Sequence, residues 1–83
     1  MSKVVKNQCN SNGQQDGYWV TYHENGNIYR KGNYSNGEKH GYWEYYYYYG
    51  NLMLKGNYNN SKYSGYWEFY YPNGNFMSKD YFL

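Results

Sequence analysis

The sequence predicts an all-β chain, an antiparallel β-meander of about seven strands built from 24-residue hairpin repeats. Three observations predict it. First, GYWVTYHENGNIYRKGNY from Gly17, GYWEYYYYYGNLMLKGNY from Gly41 and GYWEFYYPNGNFMSKDYF from Gly65 restart every 24 residues. That is the period of stacked supersecondary units too small to bury an apolar face alone. Second, each unit holds two runs rich in aromatic and aliphatic residues, such as 42–47 and 52–58, which suit a pleated surface, while Gly and Asn interrupt any stretch long enough for a helix. Third, the two runs are joined by Glu24-Asn25-Gly26-Asn27, Tyr48-Tyr49-Gly50-Asn51 or Pro72-Asn73-Gly74-Asn75. These read as four-residue hairpin loops, with Gly where a positive φ is needed.

Taken in order, residues 3–10 read as a leading strand. Val4-Val5-Lys6 aligns with Ile28-Tyr29-Arg30, and Ser11-Asn12-Gly13 precedes Asp16-Gly17-Tyr18-Trp19 as Ser35-Asn36-Gly37 precedes His40-Gly41-Tyr42-Trp43. The chain divides into a half repeat, 3–16, and repeats 17–40, 41–64 and 65–83, expected to form one domain over 1–83. Directly opposed residues of a hairpin share a face. In the second repeat one face therefore takes Tyr47 with Leu52, Tyr45 with Leu54 and Trp43 with Gly56; the other takes Tyr46 with Met53, Glu44 with Lys55 and Tyr42 with Asn57. The third repeat agrees, with Tyr71–Phe76, Phe69–Ser78 and Trp67–Asp80 on one face and Tyr70–Met77, Glu68–Lys79 and Tyr66–Tyr81 on the other. The first repeat departs, placing Thr21, His23 and Arg30 on the nominally apolar side. Trp19 faces Gly32 and Trp43 faces Gly56, where an indole can lie over bare backbone.

Composition narrows the function. At 83 residues the core is small, and stacking or association has to help bury it. Aromatics make up 27% of the chain and 16 residues are tyrosine, a residue suited to half-buried positions and binding surfaces more than to a dry core. A formal charge of +2 does not by itself argue for nucleic acid. Cys9, the lone cysteine, cannot form an internal disulfide, and MSKVVKNQCN lacks the apolar stretch of a signal peptide. A cytoplasmic location is the expectation, in a bacterial or infected host cell, because abundant Asn, Tyr and Lys fit the AT-rich genome of a bacterium, phage or large virus.

The run G-Y-W-x-x-Y-x-x-x-G-N, followed by K-G-N-Y-x-N-G and a return to H-G-Y-W, resembles the MORN repeat, most closely the bacterial MORN-variant repeat of proteins labelled antitoxins. The resemblance covers roughly residues 11–83. It implies an elongated single-layer sheet of hairpins that scaffolds, binds proteins or contacts phospholipid, and it supplies no catalytic residue. The chain departs from the pattern in its excess of tyrosine, in Asn59-Asn60-Ser61 where the first repeat has Ser35-Asn36-Gly37, and in Asp80 where Gly32 and Gly56 stand earlier.

No motif places Cys9 or an acid beside His23 or His40, and no Cys/His spacing suits a metal, so neither enzyme activity nor a cofactor is expected. Glu44 and Glu68 read as cross-strand partners of Lys55 and Lys79, leaving Lys31, opposite Val20, as the unpaired cation. Lys31, Lys55 and Lys79 should stand about 10 Å apart across the sheet. With Tyr42, Tyr46, Tyr66 and Tyr70 they form the candidate binding face, and Tyr48 and Tyr49 at a loop tip are candidate protein anchors. The expected function is binding a protein partner as a stoichiometric inhibitor, antitoxin-like or of phage or viral origin. The alternative is an anionic ligand, nucleotide or nucleic acid on the Tyr/Lys face. Phospholipid headgroups are a third possibility, against which the missing basic cluster and amphipathic helix count. The apolar row should need covering, and a homodimer through Trp43, Leu52, Leu54, Trp67, Phe69 and Phe76 is one way to cover it.

Overall fold

A computed structural model of the chain describes residues 6–83. Seven strands lie in one antiparallel sheet in sequence order: β1 (Gln8–Cys9), β2 (Gln15–Tyr22), β3 (Ile28–Ser35), β4 (Glu38–Tyr46), β5 (Leu52–Asn59), β6 (Lys62–Tyr70) and β7 (Phe76–Phe82). No helix among the described residues is long and apolar enough to cross a membrane. The expected leading strand is represented by β1, and Val4 and Val5 of that expectation lie outside the described residues. Next to β1, the Asn7 side chain takes over the pairing. Its amide donates to the Val20 carbonyl at 3.0 Å and its oxygen accepts from the Val20 N–H at 2.8 Å.

The register matches the expectation through most of each hairpin, with Trp19 opposite Gly32, Glu44 opposite Lys55 and Tyr66 opposite Tyr81. It differs at the loop ends. The loops hold three residues, not four: His23 N–H bonds the Asn27 carbonyl at 2.7 Å and closes Glu24-Asn25-Gly26, with Gly26 at φ 93. The matching bonds close 48–50 and 72–74. The residue this frees is absorbed by a β-bulge, so that Tyr46 pairs with Leu52 and Tyr70 with Phe76. Met53 therefore turns to pack on the core, while Phe76 swings to the Tyr70 ring, 5.7 Å between centroids. The expected pairs Tyr46–Met53, Tyr47–Leu52, Tyr70–Met77 and Tyr71–Phe76 are thus replaced.

The repeats are joined by a second kind of turn. Asn36 and Gly37, at φ 50 and 85, form the tight turn between β3 and β4. Asn60 and Ser61 repeat it at φ 51 and 66, and the Ser61 hydroxyl accepts from the Lys39 N–H at 3.0 Å, which helps hold a non-glycine residue in that conformation. The glycine that opens each GYW motif has its own reason. Gly41 and Gly65, at φ 77 and 72, lie where the pairing to the preceding strand shifts register, a bulge that favours a left-handed residue.

The core lies on one face of the sheet, the indole face. Tyr34, Trp43, Tyr45, Tyr58 and Trp67 are buried there, with Trp19, Met53, Leu54, Phe69 and Phe82 packed against them. The Trp43 and Trp67 indoles each lie over the glycine of the preceding strand: a Cβ built on Gly32 would clash with the Trp43 ring, and one on Gly56 with the Trp67 ring. The indole N–H reaches further back, Trp43 to the Asn33 carbonyl and Trp67 to the Asn57 carbonyl, both at 2.9 Å. Trp43 therefore covers Gly32, and not the Gly56 that faces it in its own hairpin. Asp80, at the corresponding place in β7, has no indole over it among the described residues and is exposed.

Tyrosines close the sides. Tyr34 and Tyr58 meet Trp43 edge-on at 5.0 and 6.0 Å, and Tyr63 stacks on Trp67 at 4.2 Å. Lys39 holds over Trp43 the place Tyr63 holds over Trp67, its ammonium 5.1–5.6 Å from the Trp43, Tyr45 and Tyr58 rings and donating to the Tyr45 hydroxyl at 3.0 Å. Trp43 and Trp67 are 1% and 0% exposed within a single chain. The six residues expected to form one dimer patch thus lie on two faces. Phe76 sits against Tyr70, Leu52 opposite Tyr46, and both tryptophans are already covered.

Candidate binding surface

The other face is built on a row of alternating charge. Val20, Lys31, Glu44, Lys55, Glu68 and Lys79 stand directly opposite one another from β2 to β7, with every adjacent pair in register. Each carboxylate thus has a lysine on either side. Glu44 leans back to Lys31, 3.4 Å away, and Glu68 to Lys55 at 3.5 Å, with Lys79 at a looser 3.9 Å. Lys31 is therefore ion-paired and is not the free cation the sequence suggested, because Glu44 reaches across the repeat boundary in the same direction as Trp43.

The carboxylates also fix the tyrosines. Tyr42 and Tyr46 both donate to Glu44, the first at 2.7 Å, and Tyr70 donates to Glu68 at 2.7 Å. The spacing Tyr42-x-Glu44-x-Tyr46 puts all three on one side of a strand, so one acid organises the rings before and after it. Burial, then the Glu44 hydrogen bonds and charge, raise the Tyr42 and Tyr46 hydroxyls well above their ordinary value. Burial alone would raise Glu44, but the Tyr46 and Tyr42 hydroxyls and the Lys31 ammonium more than offset it and its carboxyl titrates low. At Glu68 the Tyr70 hydroxyl leads a shift in the same direction, helped by Lys55 and Lys79.

Of the candidate binding residues, Tyr42, Tyr46, Tyr66, Tyr70, Lys31, Lys55 and Lys79 share this charged face. Tyr42 and Tyr66 project from it at 47% and 59% exposure, and Lys79 lies 4.8 Å over the Tyr66 ring. Tyr81, not singled out from the sequence, pairs with Tyr66 at 4.8 Å and doubles the exposed ring area there. Its position opposite Tyr66 was the available signal. Phe76 was assigned to the apolar face instead, because the bulge that brings it to this one leaves no mark in the sequence pattern.

Tyr48 and Tyr49 are separate from the face, at the tip of the second hairpin. The Tyr48 carbonyl accepts from the Asn25 and Asn27 side chains at 2.9 and 3.1 Å, and its ring lies 5.4 Å from His23. Asn51 repeats the second bond to the Pro72 carbonyl, so an asparagine from each of the first two tips clamps the next. Tyr49 stands where Asn25 and Asn73 accept the N–H two residues on, at 3.0 and 2.9 Å, and it is 87% exposed. The second hairpin gives up that turn bond for an outward ring. His23 Nε2 lies 2.9 Å from the Tyr46 carbonyl and pins the first tip to the second strand pair. No cluster of three metal-ligating side chains occurs among the described residues.

A family model described as the MORN repeat variant matches residues 15–36 and 63–83, together just over half of the chain. No curated protein and no solved structure matches it.

Proposed function

The chain belongs to the MORN repeat variant family, a non-catalytic repeat that serves as a binding module, and from that premise we propose that its charged face grips one partner protein and inhibits it by occupying its surface. The observation that carries the reading is the double use of Glu44, which holds Tyr42, Tyr46 and Lys31 at once. Rings fixed before contact lose little freedom on binding, and tyrosine offers large area with few rotors. The row sets three lysines against two glutamates. This near-balance suits a protein surface of mixed charge better than a phosphate-rich ligand, and it orients the partner. A one-to-one steric blocker of this kind would act as an antitoxin, or as a small inhibitor made by a phage or virus, in the cytoplasm of a bacterial or infected cell.

Affinity capture from host lysate tests the reading, with Tyr42→Ala/Tyr66→Ala as the face variant, since Tyr46 and Tyr70 are half-buried. The expected outcome is a single host protein bound at one equivalent, its activity lost on binding, and not recovered by the variant. Equal recovery by both forms removes the charged face as the contact. Recovery of nucleotides alone replaces the protein partner with an anionic ligand.

A further inference from the structure

Beside the charged row, two residues along each strand and on the same face, runs a second row. In it Tyr18 stands opposite Asn33, Tyr42 opposite Asn57 and Tyr66 opposite Tyr81. Tyrosine and asparagine therefore alternate from β2 to β6, and Tyr81 closes the row on β7. Tyr42, Tyr66 and Tyr81 project at 47%, 59% and 59% exposure, and Asn33 and Asn57 are exposed between the rings. The indoles hold both asparagines from behind: the Asn33 carbonyl accepts from Trp43 and the Asn57 carbonyl from Trp67, each at 2.9 Å. Their side-chain amides bond nothing among the described residues, whereas Asn27 and Asn51 spend theirs on carbonyls of the next loop tip.

The spacing of the rings selects what can lie on them. Tyr18, Tyr42 and Tyr66 come from β2, β4 and β6, so successive rings stand roughly 9.6 Å apart. A chain crossing the strands must repeat at that distance to meet each ring alike. An extended strand presents one face every two residues, roughly 6.7 Å, and falls out of step. An α-helix repeats its face every seven residues, roughly 10.5 Å, and slips by about 2 Å over the three rings. A polyproline II helix repeats every three residues, roughly 9.3 Å, and leaves its carbonyls without internal hydrogen bonds. Asn33 and Asn57, midway between rings, supply donors for such carbonyls.

Charge sets what flanks this segment. Lys79 is the most loosely paired lysine of the charged row, 3.9 Å from Glu68 and 50% exposed, and its ammonium lies 4.8 Å over the Tyr66 ring. The row alternates cation and acid up to Lys79, so an incoming acid beside Lys79 continues the alternation.

We propose that the tyrosine–asparagine row seats a proline-rich segment of the partner protein in the polyproline II conformation, laid across the strands. Prolines meet the Tyr18, Tyr42 and Tyr66 rings in steps of three residues, and an Asp or Glu of the segment pairs with Lys79. On the charged-face reading, on which this rests, such a segment is what the face recognises. Proline brings a flat apolar ring to tyrosine and a backbone ordered before contact. A neutral sugar chain also suits spaced rings, but it offers Lys79 no acid.

The test titrates the full chain, labelled with nitrogen-15, with the peptide acetyl-Glu-Pro-Pro-Ala-Pro-Pro-Ala-Pro-Pro-Glu-amide and follows the side-chain amide resonances of Asn33 and Asn57. Saturable shifts of both are expected. Asn57→Ala removes an exposed side chain and keeps the carbonyl that Trp67 uses, so it should fold and should weaken binding by about fivefold, the loss of one neutral hydrogen bond. Replacing the glutamates of the peptide by glutamine should weaken it about two- to fivefold. Replacing its prolines by alanine should weaken it by about tenfold, since the backbone must then be ordered on binding. The proposal is overturned by no saturation, by equal binding of the alanine peptide, by Asn57→Ala binding as the parent does, or by cellohexaose saturating at lower concentration than the peptide. Capture of a host protein that Tyr42→Ala/Tyr66→Ala abolishes, with no peptide binding, would sink this inference and leave the charged-face reading standing. Peptide binding lost in that double variant, with capture unchanged, would do the reverse.

Discussion

A methyl group at residue 56 has nowhere to go, since the Trp67 indole occupies the space a Cβ would take and the strand backbone lies beneath. Gly56→Ala should therefore cost about 1–3 kcal/mol or more, the range for forcing a packed core apart. Asp80 holds the equivalent place with no indole over it, and Asp80→Ala should change stability by no more than about 0.5 kcal/mol. Urea unfolding of the two variants beside the parent checks both. Equal losses would mean that the indole moves aside freely. The sequence shows Trp43 flanked in register by a glycine on each side, Gly32 and Gly56, and Glu44 by a lysine on each side. Pairing alone therefore leaves two choices for each side chain. Both choose the preceding strand, and that lean, not the pairing, was hidden from the sequence.

At the scale of the hairpin, register was readable because its opposed residues obey one rule from the GYW end to the centre of the strand. The turn was not. A four-residue loop and a three-residue loop followed by one bulged residue give the same pairing beyond Thr21, and they differ only in what happens to residues such as Leu52 and Met53. That difference moves Met53 onto the core and Phe76 away from it. The second loop tip carries a prediction of its own. Tyr49→Asn restores the side-chain acceptor that Asn25 and Asn73 supply in their turns. It should raise stability in urea by up to about 1 kcal/mol while weakening capture of the partner. A gain in stability with capture intact would show that the exposed ring is not a contact.

Across the whole sheet, stability responds at both ends of the pH scale. Glu44 and Glu68 titrate below their ordinary value of 4.5 when folded. The stability they contribute is present above that value and is lost as pH falls through their folded pKa, so the urea midpoint should drop as pH falls below 4.5. Glu44→Gln/Glu68→Gln should flatten that slope, and a slope equal to the parent's would place the acid sensitivity elsewhere. Tyr42, Tyr46 and Tyr58 titrate above their ordinary 10.0, each through burial first, with Glu44 adding to it at Tyr42 and Tyr46 and the Tyr45 hydroxyl at Tyr58. Their contribution is present below pH 10 and is lost as pH rises toward their folded values. Tyrosinate absorbance should therefore show a group of rings that ionise only as the sheet unfolds.

The backward lean of the tryptophans gives the sheet a direction, like shingles laid from one end. Each hairpin brings the cover for the one before it and leaves its own glycine bare for the one after. A duplicated 24-residue unit inserted at any internal boundary would meet a bare glycine on one side and offer one on the other, with its Glu finding a lysine behind it. Lineages carrying this pattern can therefore lengthen or shorten by whole hairpins without redesigning a seam. At Asp80 the place under the next indole holds a side chain, so a unit stacked there would need glycine restored at that position.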